Sequence, residues 1–148
     1  MKISTKGRYG LRAMVDLAAN SKGEYIPLSD IAKRQDVSEN YLEQVFGTLR
    51  KTGLVKSIKG AQGGYTISDN PSRITVGSIL RALEGELSVV DDLEAQKKSG
   101  NIIEQCISEK VWESINKSIN GIVDTITLED LTEEFLRIKN SNEFMFYI

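Results

Sequence analysis

Histidine is absent from the 148 residues, and cysteine and tryptophan occur once each, as Cys106 and Trp112. Without histidine no Ser/His/Asp set exists, and Cys106 has no base partner of the usual kind, so the chain is not expected to be an enzyme. One thiol also excludes an intrachain disulfide. No stretch reaches the roughly 20 apolar residues that a membrane span needs, and no membrane partner is expected. The basic start Met1-Lys2-Ile3-Ser4-Thr5-Lys6 has no apolar run behind it. It reads as no signal peptide, and a reducing cytoplasm is the expected location. The glycine-rich run Gly60-Ala61-Gln62-Gly63-Gly64 lacks the lysine and Ser/Thr of a phosphate loop. Internal repeats and low-complexity segments are missing as well.

What is present suits a packed domain: 40% of residues are apolar and 27% charged. The net charge of -2 conceals a split. Residues 1–65 hold 11 Lys+Arg against 6 Asp+Glu, and residues 66–148 hold 8 against 15. The first half is dressed to meet a polyanion. Chance plus an acidic surface helix gives the same numbers, so charge alone leaves both readings open.

Apolar residues at Tyr9, Leu11, Ala13, Met14, Val15, Leu17 and Ala18 predict an amphipathic helix over 5–20. Ser29 is expected to cap a short second helix that turns Ile31 and Ala32 inward. Ser38 is expected to cap a third over 39–52, carrying Tyr41, Leu42, Val45, Phe46 and Leu49 and stopped by Gly53. Two short helices joined by so tight a turn make a helix-turn-helix, although any αα-hairpin shares the pattern. Residues 54–59 and 65–68 then read as strands flanking a turn with three glycines. A helix-turn-helix followed by a β-hairpin is the order of a winged helix. The fold expected is therefore mainly α with a small β-hairpin wing, a winged helix-turn-helix domain over 1–85.

Thr75 is expected to cap a further helix through Ile79, Leu80 and Leu83, ended by Gly85. Residues 86–101 read as a loop. From 102 to 126 Ser108, Trp112, Ile115, Ile119, Ile122 and Ile126 form a heptad-like stripe, widened by Ile103, Val111 and Val123. This predicts a long dimerisation helix using Val111, Trp112, Ile115, Ile119 and Ile122; packing onto the N-terminal domain is the alternative. Thr127 is expected to cap a short helix over 128–139, followed by a tail to 148.

Three segments together resemble the Rrf-two family of bacterial winged-helix transcription regulators. They are residues 1–10, the core Ser38-Glu39-Asn40-Tyr41-Leu42-Glu43-Gln44 and the wing Gly60-Ala61-Gln62-Gly63-Gly64-Tyr65. Thr75-Val76-Gly77, Leu83-Glu84-Gly85 and Trp112 continue the likeness over nearly the whole chain. The C-terminal Met145-Phe146-Tyr147-Ile148 is similar to the branch that represses cysteine-metabolism genes. The resemblance implies a homodimer with crossed long helices on a partly palindromic operator. For that branch it also implies cysteine synthase, a PLP enzyme, as co-repressor. The alternatives are a regulator of iron–sulfur assembly genes without its own cluster, or a winged helix that binds protein and has lost DNA.

Cluster-binding members of the family carry three cysteines before the long helix. Here Cys106 matches the last and the others are missing, so no cofactor and no metal are expected. Cys106 is a small apolar residue on a helix face or, less simply, a redox thiol. The acidic residues Glu86, Asp91, Asp92 and Glu94 read as a solvated loop.

For DNA, Ser38 and Asn40 stand at the start of the third helix, where amides, hydroxyls and a backbone N–H meet phosphate or base. Tyr41 either places its hydroxyl on a phosphate or packs inward. Glu43 either accepts from a cytosine amine or faces solvent, and Gln44 either pairs with adenine or does the same. Arg50 and Lys51 are phosphate contacts or solvated charges. Lys59 stands at the wing base where several relatives have arginine, which removes the bidentate fork; Gly63 and Gly64 let the wing backbone come close. In the tail, Phe146, Tyr147 and Ile148 either pack on the body or offer a C-terminal carboxylate to a concave site on cysteine synthase. Its substrate O-acetylserine would then compete for the same seat.

Overall fold

A computed structural model describes residues 1–146. Helix α1 (Thr5–Ser21) starts at Ser4, whose hydroxyl oxygen accepts from the Gly7 N–H, and buries Met14 and Leu17. Helices α2 (Leu28–Gln35) and α3 (Glu39–Lys51) follow, meeting across a turn in which Asp36 takes a left-handed φ of 54°. Ser38 caps α3 as expected, accepting from the Tyr41 N–H at 3.0 Å. Helix α2 differs from expectation: it begins at Leu28, with Pro27 in the cap position and Ser29 inside the first turn. Proline fixes an extended entry without needing a side-chain cap.

Leu42, Val45, Phe46 and Leu49 recur on one side of α3 and are fully buried. They meet Met14, Leu17, Ile31 and Ile79 in the main core. Gly53, at φ +81°, ends the helix and turns the chain into β1 (Val55–Ile58). That strand pairs antiparallel with β2 (Gly64–Ile67), in a register running from Val55↔Ile67 to Ile58↔Gly64. Ile26 and Tyr65 exchange backbone hydrogen bonds of 2.8 Å each, so the chain before α2 adds a third edge to the wing.

Helix α4 (Val76–Glu84) is capped by Thr75 and closed at Gly85. The segment expected to be a loop contains a short helix, α5 (Leu93–Lys97), and its Leu87 is buried with Val76 and Leu80. The long helix is present, but in three parts on one continuous right-handed path. These are α6 (Ile102–Ile107), a π-turn (Ser108–Trp112) and α7 (Glu113–Thr125). End to end it measures about 36 Å at ~1.5 Å per residue. Ser108 inside the π-turn is fully buried and donates to Gln96 at 3.5 Å.

Helix α8 (Leu128–Phe146) runs well past the expected end near 139. The tail expected from residue 140 is helix instead, since Asn140, Ser141 and Asn142 bring no glycine or proline to interrupt the backbone ladder. Its start is a reciprocal cap: Thr127 N–H donates to Asp130 at 2.9 Å and Asp130 N–H to the Thr127 hydroxyl at 3.0 Å. Leu128 sits in the main core.

Two joints tie the C-terminal helices to the body. Val76 N–H donates to Ile126 and Leu128 N–H to Ile74, both at 2.8 Å. Arg81 on α4 grips Asp124 of α7 with two nitrogens, at 2.7 and 2.8 Å, and Asn120 with a third contact at 2.6 Å. That grip holds Arg81 above its ordinary pKa and Asp124 below its own. Asn116 and Asn120, one turn apart, bond Val89 and Leu87 and so stitch the 87–89 backbone to the same face.

Candidate nucleic-acid interface

With its apolar side turned into the core, α3 presents Asn40, Glu43 and Gln44 to solvent. Beside it the hairpin completes a cleft of about 290 Å³ whose walls include Glu43, Arg50, Lys59, Gly63 and Gly64. Arg50 leans from α3 to β1, with a guanidinium nitrogen 3.5 Å from the Ser57 hydroxyl. Five of the residues singled out in the sequence are thus brought to one surface, with Lys59 exposed at the wing's end. Ser38 is exposed and directly precedes Glu39, another residue of the cleft wall. Its oxygen is engaged in the cap, which leaves the hydroxyl hydrogen to donate outward.

Tyr41 points elsewhere. Its ring is half-buried and meets Tyr9 of α1 edge-on, centroids 6.3 Å apart, and it packs against the core. Gln44 is exposed on the same helix surface, one turn before Thr48.

Sequence reasoning missed Lys6. From the first turn of α1 its ammonium reaches the Thr48 hydroxyl at 3.4 Å, which sets a cation on the flank of α3 away from the wing. A lysine in a helix's first turn gives no local sign of which neighbour it will flank, so only the tertiary arrangement reveals it. The same holds for the lock behind the helix-turn-helix. Asp16 of α1 is only 6% exposed and takes three hydrogen bonds from Arg34, between 2.7 and 3.1 Å. A further bond comes from Gln35 at 2.9 Å. The hydrogen bond to Asp16 raises Arg34 above its ordinary pKa, and the two side chains form a salt bridge of 2.7 Å. It holds the end of α2, and hence the entry to α3, against α1.

The stripe read on the long helix divides into two faces. Ile119, Val123 and Ile126 pack inward on Val76, Leu80 and Leu87. Val111, Ile115 and Ile122 face out, Ile122 being 61% exposed; Trp112 is half-buried between them. Phe146, at the end of α8, is 84% exposed; Tyr147 and Ile148 lie outside the described residues.

Comparison with known proteins gives consistent matches. The family model Rrf2, described as an iron-dependent transcriptional regulator, matches residues 3–134. The HTH-type transcriptional regulator CymR of Bacillus subtilis is 41% identical over 148 residues, covering all of both chains. IscR of Escherichia coli, also an HTH-type transcriptional regulator, is 39% identical over 132 residues, 88% of this chain and 80% of that one. Among solved structures, the global cysteine regulator CymR of B. subtilis superposes with a TM-score of 0.71 over 90% of this chain and 98% of the other. IscR of T. potens does so with 0.70 at 43% identity, over 90% and 88%. Iron finds no fitting donor set: the chain has no histidine and one exposed cysteine. Among the described residues no group of three or more His, Cys, Asp or Glu is placed to hold a metal ion. An iron–sulfur cluster takes four protein ligands as a rule.

Proposed function

The chain belongs to the Rrf2 family of DNA-binding transcription regulators, and from that premise we propose that it is a sequence-specific repressor of cysteine and sulfur-metabolism genes, acting as a homodimer with cysteine synthase as co-repressor. It is a regulator rather than an enzyme, and no described helix is long and apolar enough to cross a membrane. The observation that carries the DNA reading is the joint surface of α3 and wing, where a polar helix face, Arg50 and Lys59 share one cleft.

Residues 1–85 do the reading and the long helix the pairing. α3 enters the major groove, as the second helix of such motifs does. Lys59 on the wing and Lys6 on the opposite flank neutralise the phosphates that border it. Glu43, an anion aimed at a polyanion, is repaid only by a donor on a base, and cytosine N4 supplies one. A gel-shift titration with competitor DNA at fixed salt tests this. Lys59→Ala and Lys6→Ala should weaken all operator variants alike and lower the salt slope by about 1 each. Glu43→Ala should relax preference at one base position by about 1–3 kcal/mol. Weak affinity with no sequence ranking would instead mark a protein-binding winged helix.

The cysteine branch is supported by coverage. The match to CymR of B. subtilis runs the full length, whereas the match to IscR of E. coli covers 88% of the chain. The apolar C-terminus then serves as the ligand for cysteine synthase, its carboxylate in the seat of the enzyme's own amino-acid substrate. Deleting residues 145–148 should abolish enzyme binding by calorimetry and leave the dimer intact, and O-acetylserine should compete with the full chain. Equal affinity after truncation would leave the C-terminus a purely structural element.

A further inference from the structure

The start of α1, Ser4-Thr5-Lys6-Gly7, is not capped by its own side chains alone. A capping box sets a glutamate three residues after the capping serine, and its side chain reaches back to the serine's backbone N–H. Here that third residue is Gly7, which has no side chain to offer. The carboxylate comes from Glu84, the last residue of α4, which accepts from the Ser4 N–H at 3.0 Å. Glu84 also accepts from the Ser4 hydroxyl, whose oxygen in turn accepts from the Gly7 N–H at 3.2 Å. Gly7 makes the room for this, since a Cβ there would stand against the Glu84 carboxylate.

We infer that Glu84 is a positioning residue for DNA binding: by completing the α1 cap from α4, it holds Lys6 at the flank of α3, where Lys6 meets a phosphate. The inference rests on the DNA reading proposed above and deepens it by naming what fixes that contact.

Electrostatics set the direction of the hold. The C-terminal end of α4 carries a partial negative charge, so Glu84 gains nothing from its own helix; the start of α1 carries a partial positive charge. The carboxylate is drawn to α1. Its own helix is anchored independently, because α4 packs on α1 and α7 and Arg81 grips Asp124 and Asn120. The body of α1 is seated by packing as well: Leu83 lies so close over Gly10 that a Cβ there would strike it. What Glu84 adds is a grip on the first turn.

Lys6 is the second residue of that turn. Its ammonium lies 3.4 Å from the Thr48 hydroxyl, and that hydroxyl donates to the Gln44 carbonyl at 3.3 Å. A lysine places a point charge on a flexible stem. The charge stays beside α3 only while the backbone that carries the stem is held. With the cap undone the first turn frays, and the charge spreads over positions that no phosphate shares.

The test uses the full-length protein and, as probe, the tightest-binding duplex recovered from a random-sequence pool, titrated over a series of potassium chloride concentrations. Lys6→Ala should lower the slope of log affinity against log salt by about 1. Glu84→Ala should lower it equally, and the double variant no further than either alone, since both remove one contact. Glu84→Gln keeps an oxygen in the seat and should retain the native slope. Gly7→Ala separates positioning from helix stability. Alanine is the better helix former, yet its Cβ displaces the carboxylate, the far end of a flexible side chain. That variant should fold normally by circular dichroism and still lose the slope. The ranking of duplex variants should stay intact throughout. If Glu84→Ala misfolds, Gly7→Ala and Glu84→Gln carry the comparison. Effects of Glu84→Ala and Lys6→Ala that add in full overturn the inference, as does a native slope in Gly7→Ala. A native slope in Lys6→Ala overturns it too, while sequence-ranked binding by the unmodified chain leaves the DNA reading standing. An unmodified chain that binds every duplex alike overturns the DNA reading itself.

Discussion

Gly64 has no room for a side chain. A Cβ there would strike the carbonyl of Ile26 and the nitrogen of Pro27, because the chain before α2 lies hydrogen-bonded against the wing. Gly64→Ala should therefore destabilise the protein by about 1–3 kcal/mol, the usual cost of overpacking. It should also weaken operator binding, since the wing must shift. Urea unfolding and gel shift check this; an unchanged midpoint would mean that Ile26 yields freely. The sequence placed Gly63 and Gly64 at the wing for the sake of phosphates, and a contact with Ile26 is invisible in linear spacing. Tyr41 carries the same lesson. Two environments were open to it from sequence, and its partner Tyr9 belongs to a helix that only the tertiary fold brings alongside.

Helix caps were legible because they are local: Ser38, Thr75 and Thr127 each bond within three residues of themselves. Helix ends set by packing were not. α2 starts two residues earlier, at Leu28, and α8 continues to Phe146. The π-turn was not legible either, since no residue type in Ser108–Trp112 marks the wider turn. The single stripe over 108–126 divides into two faces because Ile119, Val123 and Ile126 pack on Val76, Leu80 and Leu87 while Ile115 and Ile122 face out. Replacing Ile115 and Ile122 with glutamate should thus yield folded monomers by sedimentation, with the melting temperature largely kept. Ile119→Glu should instead lower stability, because it buries a carboxylate against Val76, Leu80 and Leu87. Dimers surviving the first pair with unchanged affinity would sink the assignment of that face.

At the scale of the whole molecule, the charge split follows function: the basic half supplies α3 and the wing, and the acidic half supplies the long helix and α8. The family description speaks of iron, yet this chain has no histidine and one cysteine, and no metal-holding group stands among its described residues. The protein purified without oxygen should be colourless, with no iron or sulfide by assay. A visible charge-transfer band with stoichiometric iron would show ligands that the fold does not bring together in one chain.

The joints at Ile74–Val76 and at Arg81 bind α7 to the body that carries α3. In the proposed dimer, two such chains crossed on their long helices would make a pair of calipers, with the crossing as the pivot and the two α3 helices as the jaws. A base pair inserted between half-sites moves them about 3.4 Å apart and turns one around the duplex. Jaws held at one spacing should therefore bind an operator with both half-sites intact but one base pair too long more weakly in a gel shift, through the added rise and the added rotation together.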